Sequence, residues 1–375
     1  MNNTLCRMVG CEFPLFAFSH CRDVVAAVSR AGGFGVLGGS SFTPDQLEVE
    51  LKWIDDHVDG KPYGVDILIP EHVDTDMSKV TGDQLAAQIP RKFLDFTAEL
   101  LTRYGVAATP EEVISRRLPT IAPALGEGLM DVAFRHPIRL IANALGIAPQ
   151  SMIERGRKHG VPVAALVGAK EHAVRQVKAG VDILVAQGTE AGGHCGEVST
   201  LVLIPEVLRA IRPVREVPVL AAGGIMTGRQ MAGCLAMGAQ GVWTGSVWLA
   251  TTESETSEAF RQKMVAATSR DTIRSKARTG KPSRQLRSAW HDAWHGPESP
   301  GELGMPHMGL VSQPAFARID KAVAAGNAQA LPLVSYFVGQ GVGLVDGVKS
   351  ATAVVQEFKT EFVEAFESLQ SALSE

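Results

Sequence analysis

The chain has 375 residues, 45% of them hydrophobic and 20% charged, an ordinary globular balance with enough apolar material for one large domain with additions or for two. A formal net charge of −4 excludes a global pull toward nucleic acid or an anionic membrane surface, and no uninterrupted apolar run is long enough to span a bilayer. Five cysteines, an odd number in no metal-binding spacing, and an N-terminus carrying Arg7 and Glu12 among its apolar residues point to a cytoplasmic protein without a signal peptide.

Along the chain, short β-branched or apolar runs alternate with segments of helical spacing. The order is strand 13–18, helix 22–31, strand 34–37, helix 44–57, strand 63–69, helix 91–104, strand 138–145 and helix 150–159. It continues with strand 161–167, helix 170–179, strand 181–186, helix 201–211, strand 217–222, helix 227–237, strand 241–244 and a helix from 255 to about 267. Alternation of this kind predicts parallel βαβ units. Eight units predict an α/β fold of the (β/α)₈ TIM-barrel type, which usually takes ~250 residues. The later units are the best punctuated: Thr227 is a natural helix N-cap, and Gly238 follows the end of that helix. The stretch 70–137 exceeds one unit and is expected to hold an insertion between the third and fourth strands.

Beyond about residue 268 the alternation stops. The expected division is therefore a barrel over 1–267 and a mainly helical extension over 268–375 that packs back on the barrel mouth as a lid. Residues 270–287 carry Arg270, Arg274, Lys276, Arg278, Lys281, Arg284 and Arg287 against one acid, Asp271. Without interleaved aromatics this run reads as an anion-facing lid or a solvated face, not as a nucleic-acid site. Residues 351–373 read as an amphipathic helix.

The most informative stretch is 187–196, Gln187-Gly188-Thr189-Glu190-Ala191-Gly192-Gly193-His194-Cys195-Gly196, directly after the strand at 181–186. Glycines let backbone approach a ligand closely, and one imidazole among them can move a proton near neutral pH. The alternative is a surface turn. Two further glycine turns, Gly223-Gly224 and Gly245-Ser246, follow the seventh and eighth strands, where barrels commonly hold a phosphate on backbone N–H groups. Gly33 to Gly38 matches G-x-G-x-x-G in form, but a helix precedes it and the motif itself contains a strand, so a Rossmann reading fails. Cys195 as a nucleophile is disfavoured because adjacent side chains point apart. His291 and His295 lack the glutamate of H-E-x-x-H and read as sharing a helix surface, so no metal site is expected.

With these residues in hand, the chain resembles the nitronate monooxygenase (2-nitropropane dioxygenase-like) family of FMN-dependent TIM barrels. The resemblance rests on Ala31-Gly32-Gly33-Phe34-Gly35, Gly188 to His194, Ala221-Ala222-Gly223-Gly224-Ile225, and Gly241 to Ser246 running into Thr251-Thr252-Glu253-Ser254. Thr279-Gly280-Lys281-Pro282-Ser283-Arg284 resembles the family's TGRPAR-like segment, and Gly339-Gln340-Gly341 its late Gly-Gln motif. Two stretches depart from the pattern. Ala17-Phe18-Ser19-His20 replaces a Pro-Met-x-Gly-like turn, and Gly64-Val65-Asp66 replaces the usual Gly-Val-Asn.

The resemblance implies FMN at the barrel mouth, with phosphate on the 223–224 and 245–246 loops. It implies contacts to the cofactor from Ala17, Phe18, Ser19, Asp66, Gln187, Gly192, Gly193, Ala222, Gly223, Gly224, Trp243, Thr244, Gly245, Ser246 and Gln340. It makes His194 the catalytic residue, either as base toward a neutral nitroalkane or as the group that positions a nitronate, with O₂ as co-substrate. The partners expected are these small molecules and a second copy of the chain in a homo-oligomer. Two other readings stand beside this one. The first is an NAD(P)H-dependent flavin reductase on the same scaffold, of the enoyl-thioester or quinone type. The second is a non-catalytic flavin- or phosphate-binding protein.

Overall fold

Eight parallel strands close on themselves in the computed structural model, which describes residues 1, 3–69, 80–117 and 123–374. They begin with β1 (Leu15–Ser19), β2 (Phe34–Gly38), β3 (Tyr63–Asp66), β4 (Leu140–Asn143), β5 (Val163–Val167) and β6 (Ile183–Gln187). A two-residue strand, β7 (Gly193–His194), lies outside the barrel, which β8 (Val219–Ala222) and β9 (Gly241–Thr244) complete. Closure is made by β9 against β1, with Trp243 in register with Phe16, while Phe16 on its other side meets Phe34. This is the TIM barrel expected from the sequence.

Strand residues alternate between two environments. Phe16, Phe34, Val36, Leu140, Ala142, Ile183, Val185, Leu220 and Trp243 form one apolar cluster inside the barrel. Leu15, Ala17, Leu37, Val65, Ile141, Leu184 and Val219 belong to another, between the strands and the surrounding helices. A short helix that the sequence reading did not foresee, α1 (Thr4–Val9), adds Leu5, Cys6 and Val9 to the interior cluster. The Asn3 side-chain amide donates to Gln240 O at 2.6 Å and the Leu5 amide to Gln240 Oε1 at 3.2 Å, which seats α1 at the N-terminal end of β9.

The next two helices, α2 (Arg22–Arg30) and α3 (Pro44–His57), fall where the periodicity places them. The region after β3 differs. Helices α4 (Gly82–Ala87) and α5 (Arg91–Arg103) leave the barrel, and α6 (Pro123–Ala133) supplies Leu129, Met130 and Ala133 to the core around the strands. The expected insertion over 70–137 lies partly outside the described residues. The ring continues with α7 (Gln150–His159), α8 (Lys170–Ala179), α9 (Thr200–Ile211) and α10 (Gly228–Ala236).

A second correction concerns the eighth helix. The helix expected from 255 forms as α11 (Glu258–Val265), but its Phe260 and Met264 join a separate apolar core. That core also takes Leu85, Phe93 and Leu101 from α4 and α5. To these it adds Trp290 and Trp294 from α12 (Ala289–Trp294), and Val311 and Phe316 from α13 (His307–Ala324). Between α11 and α12 runs an antiparallel hairpin, β10 (Thr272–Ser275) and β11 (Ser283–Leu286), which the sequence reading had left without strands.

The vacant place on the barrel wall, between α10 and α2, is filled by α14 (Ala351–Ser374). Its Val354, Val355 and Phe358 enter the barrel's outer core. Glu361 accepts from the Gly228 amide at 2.7 Å, and the Lys359 ammonium donates to Ala31 O at 2.7 Å. Phe358 is 1% exposed, so Phe358→Ala should destabilise the protein by about 3–5 kcal/mol through lost burial and a residual cavity. Glu364→Ala, which removes only the half-exposed pair with Arg229, should cost under about 1 kcal/mol. Urea unfolding of both variants checks the ranking. Equal losses would mean that the apolar face of α14 is not what holds it.

Candidate active site

The C-terminal ends of the strands open into a cavity of about 1210 Å³. Its floor is aromatic: Trp243 stacks between Phe16 and Phe18, each with a ring centroid 6.2 Å away. Phe18 and Ser19 from β1, Asp66 from β3, Gln187 from β6, Ala222 from β8 and Trp243 and Thr244 from β9 all line the cavity, as do Gly192, Gly193 and His194. Gly223, Gly224, Gly245 and Ser246 form part of its rim. Two of the expected contact residues do not line it. Strand alternation turns the Ala17 side chain outward into the core between strands and helices. The Gln340 backbone N–H donates to Glu190 O at 2.8 Å, and its neighbour Gly341 lines the cavity.

The glycine loop after β6 is held by the protein's own chain. A Cβ at Gly192 would come within 2.8–2.9 Å of the Val338 and Gly339 backbone, so glycine is needed for segment 338–339 to lie against this loop. Strand β7 pairs antiparallel with β11, Gly193 opposite Arg284 and His194 opposite Ser283. Two arginines of the basic run serve the same loop. Arg284 donates from Nε to Thr189 O at 2.9 Å, and Arg274 donates to Cys195 O at 3.3 Å. The basic segment is thus a hairpin clamped on the histidine loop, while Arg270, Lys276, Lys281 and Arg287 stay exposed.

This pairing places His194 Nδ1 3.2 Å from Pro282 O. A carbonyl only accepts, so Nδ1 carries the hydrogen and the neutral ring keeps its lone pair on Nε2. Burial holds the imidazole pKa below its ordinary value. The Pro282 hydrogen bond opposes this, and the charge of Lys281 adds to it. His194 is therefore a neutral acceptor near pH 7.

A second imidazole was missed in the sequence. His20, just past β1, lines the same cavity with Nδ1 3.0 Å from Gly38 O, and the surrounding protein lowers its pKa too. Its only signal was its position in the turn after a barrel strand. Cys195 is not activated: burial raises its pKa, and Sγ donates weakly to Thr189 O at 3.5 Å. His291 and His295 do not share a surface. His291 is buried against Ser288 Oγ at 3.0 Å, and His295 meets Ser275 Oγ at 3.0 Å.

On the rim, the amides of Gly223, Gly224, Gly245 and Ser246 donate to no acceptor among the described residues. Ser246 Oγ accepts from the Gly339 amide at 2.8 Å, which leaves its own O–H free to donate. A Cβ at Gly245 would meet no protein atom within 4 Å. Unpaired amides beside open space form a cradle for an oxyanion. The Thr244 hydroxyl is already used, donating to Phe16 O at 2.9 Å.

A closed parallel barrel with an apolar-floored cavity, an oriented neutral imidazole and a cradle of free amides has the form of a TIM-barrel enzyme's active site. The model of the nitronate monooxygenase family matches residues 14–361, and the chain belongs to that family. A protein of Mycobacterium tuberculosis, assigned only provisionally as a monooxygenase, is 50% identical over 374 residues, 99% of both chains. A probable nitronate monooxygenase of Staphylococcus saprophyticus is 29% identical, covering 93% of this chain and 94% of that protein. Among solved structures, nitroalkane oxidase from Streptomyces ansochromogenes superposes with a TM-score of 0.80 at 25% identity, over 98% of this chain and 100% of that one. FabK from Thermotoga maritima, at 24% identity and a TM-score of 0.70 over 99% of both chains, shares the fold.

Asp66 gives a test of the cavity that does not depend on turnover. The residue is 6% exposed, and its carboxyl has no hydrogen-bond partner among the described residues and is pushed up to about 7 by burial alone. An acid raised in the folded state holds its proton there after the unfolded chain has lost it. Stability should therefore fall as pH rises from about 4 to about 7, then level off. In cofactor-free protein, the gain in Tm of Asp66→Asn over the unmutated chain should be small near pH 4 and grow to a plateau above pH 7. Parallel melting curves across that range would show that Asp66 ionises freely.

Proposed function

We propose that the protein is an FMN-dependent nitronate monooxygenase that oxidises alkyl nitronates, or the parent nitroalkanes, with O₂. The observation that carries this reading is the fixed tautomer of His194, whose Nε2 lone pair belongs to the same cavity as the free-amide cradle. The residues present fit a flavin mononucleotide. Gly223, Gly224, Gly245 and Ser246 would take its phosphate, as loops at the ends of the last two strands do in this fold. Phe18, Ser19, Asp66, Gln187, Ala222 and Trp243 would surround its ring. When bound, the flavin supplies the electron-accepting chemistry that no side chain of this cavity can provide.

The protein's own part is proton handling and exclusion of water. His194 Nε2 accepts the α-proton of a neutral nitroalkane and becomes an imidazolium whose Nδ1–H still donates to Pro282 O. Toward an anionic nitronate, the same ring only positions the substrate. The hairpin β10–β11 and segment 339–341 close over the mouth as a lid, held by Arg284 on Thr189 O and by Ser246 on the Gly339 amide.

Three expectations follow from this reading. Purified protein should be yellow, and heat should release FMN, identified by chromatography; FAD or no flavin at all would refute the cofactor assignment. Gly245→Val should weaken FMN binding at least about tenfold with little change in Tm, because the new side chain fills the cradle and not the core. Unchanged affinity would put the phosphate elsewhere. Finally, His194→Asn should lose about 10²–10⁴-fold in kcat/KM on neutral nitroalkane but much less on pre-formed nitronate, with flavin content retained. In the unmutated enzyme the nitroalkane rate should rise with pH through a midpoint below about 6.5, as the lowered imidazole pKa requires. If His20→Asn shows the substrate-selective loss and His194→Asn does not, the base is His20. Rapid anaerobic bleaching of the flavin by NADH and none by nitronate would instead make the protein a reductase.

A further inference from the structure

One charged group in the cavity takes no part in the reading above. Arg278, in the β10–β11 connection, lines the cavity together with Phe316, Tyr336 and Phe337. Its guanidinium lies 3.9 Å from the ring centroid of Phe316, 4.9 Å from Phe337 and 5.3 Å from Tyr336. Three aromatic rings at these distances hold the fork in place while the side chain stays half-buried.

Among the described residues the fork makes one hydrogen bond, from Nη1 to Ser335 O at 3.1 Å. A guanidinium carries five N–H donors, so four have no protein partner among the described residues. It has no ion pair within 4 Å among the described residues. Asp320 also lines the cavity and influences Arg278, but it is an exposed side chain beyond 4 Å. The other titratable groups facing it are Tyr336 and His291, the first neutral at ordinary pH and the second held neutral by burial. Desolvation lowers the Arg278 pKa only to about 10, so the group stays charged. A half-buried cation that lines a cavity with most of its donors unused is a ready partner for an anion.

We propose that Arg278 anchors a carboxylate at the far end of the substrate, across an apolar spacer from the carbon that reacts at His194. The aromatic walls suit the spacer, and the planar fork suits a bidentate carboxylate. The proposal rests on the nitronate reading for the reaction at His194, but not for the binding of the anion. The same oxyanion chemistry exists in the flavin phosphate, so the experiment separates the two sources.

Holoenzyme is titrated with hexanoate, octanoate and decanoate and with the matching primary alcohols, following perturbation of the flavin spectrum and, independently, calorimetry. None of these probes carries a nitro group, so the outcome does not depend on turnover. The carboxylates should bind about 10–100-fold more tightly than the alcohols, the range expected for charge-assisted hydrogen bonds out of water. Arg278→Met should abolish that preference while leaving alcohol binding, flavin content and Tm unchanged, and Arg278→Lys should restore part of it. Equal affinities for acid and alcohol in the unmutated protein overturn the proposal without any variant. Loss of flavin from Arg278→Met overturns it in favour of the cofactor phosphate. Equal weakening of both ligand series, with a lowered Tm, overturns it in favour of a pin for the aromatic cluster. An enzyme that prefers carboxylates but turns over no nitro compound would sink the nitronate reading and leave this one standing.

Discussion

His194 is fixed by a contact that spans 88 residues of the chain. Its two-residue strand has no independent stability, since a pair of residues cannot hold a conformation against chain entropy. It becomes a strand only because β11 lies beside it, and β11 is delivered by a hairpin that the barrel itself does not contain. That hairpin is held in turn by the second apolar core, built from the excursion between β3 and β4 and from residues beyond the barrel's last strand. The tautomer of one imidazole thus depends on the folding of an entire accessory layer. If β11 moved away, Nδ1 would lose Pro282 O, and nothing would decide which nitrogen faces the substrate.

The accessory layer also explains why two segments distant in sequence are both needed. Helices α4 and α5 come from the excursion after β3, and α11 to α13 come from beyond the barrel. The two groups share one apolar core, in which Phe93, Phe260, Trp290, Trp294 and Phe316 are buried together. The cavity lies between this core and the barrel floor. Its walls therefore come from two separately packed bodies of side chains, with Trp243 below and Phe316 on the accessory side.

The barrel was legible in the sequence because its signals are local. Strands such as Ile183–Gln187 are short apolar runs, the glycines stand at their ends, and helix periods fill the gaps. What was not legible was partnership. The periodicity of 91–104 and 255–267 shows that each helix buries a face, but it cannot say against what, and both bury it in the accessory core. Helix α14 was foreseen as a helix but not as the barrel's eighth. The β10–β11 hairpin was hidden because Thr-Ile-Arg-Ser and Ser-Arg-Gln-Leu carry little of the β-branched alternation that marks strands. His194 stood out as the lone imidazole of a glycine loop. The atom that orients it is a backbone carbonyl, and no residue type announces that.

A single property of the cavity moves its ionisable groups in opposite directions. Removal from water disfavours charge, so the same surroundings lower His194 and His20 and raise Asp66. Near neutral pH both imidazoles are uncharged and the carboxyl is poised between its two forms. Arg278 is too basic to follow and keeps its charge at a pKa lowered to about 10. The lining also holds the cations Arg175 and Lys281 and the acids Glu255 and Asp320, so groups of both signs face the cavity. Beside His194 the neighbouring charge is that of Lys281, and a cation next to a buried neutral imidazole favours an anion over its neutral parent at that point.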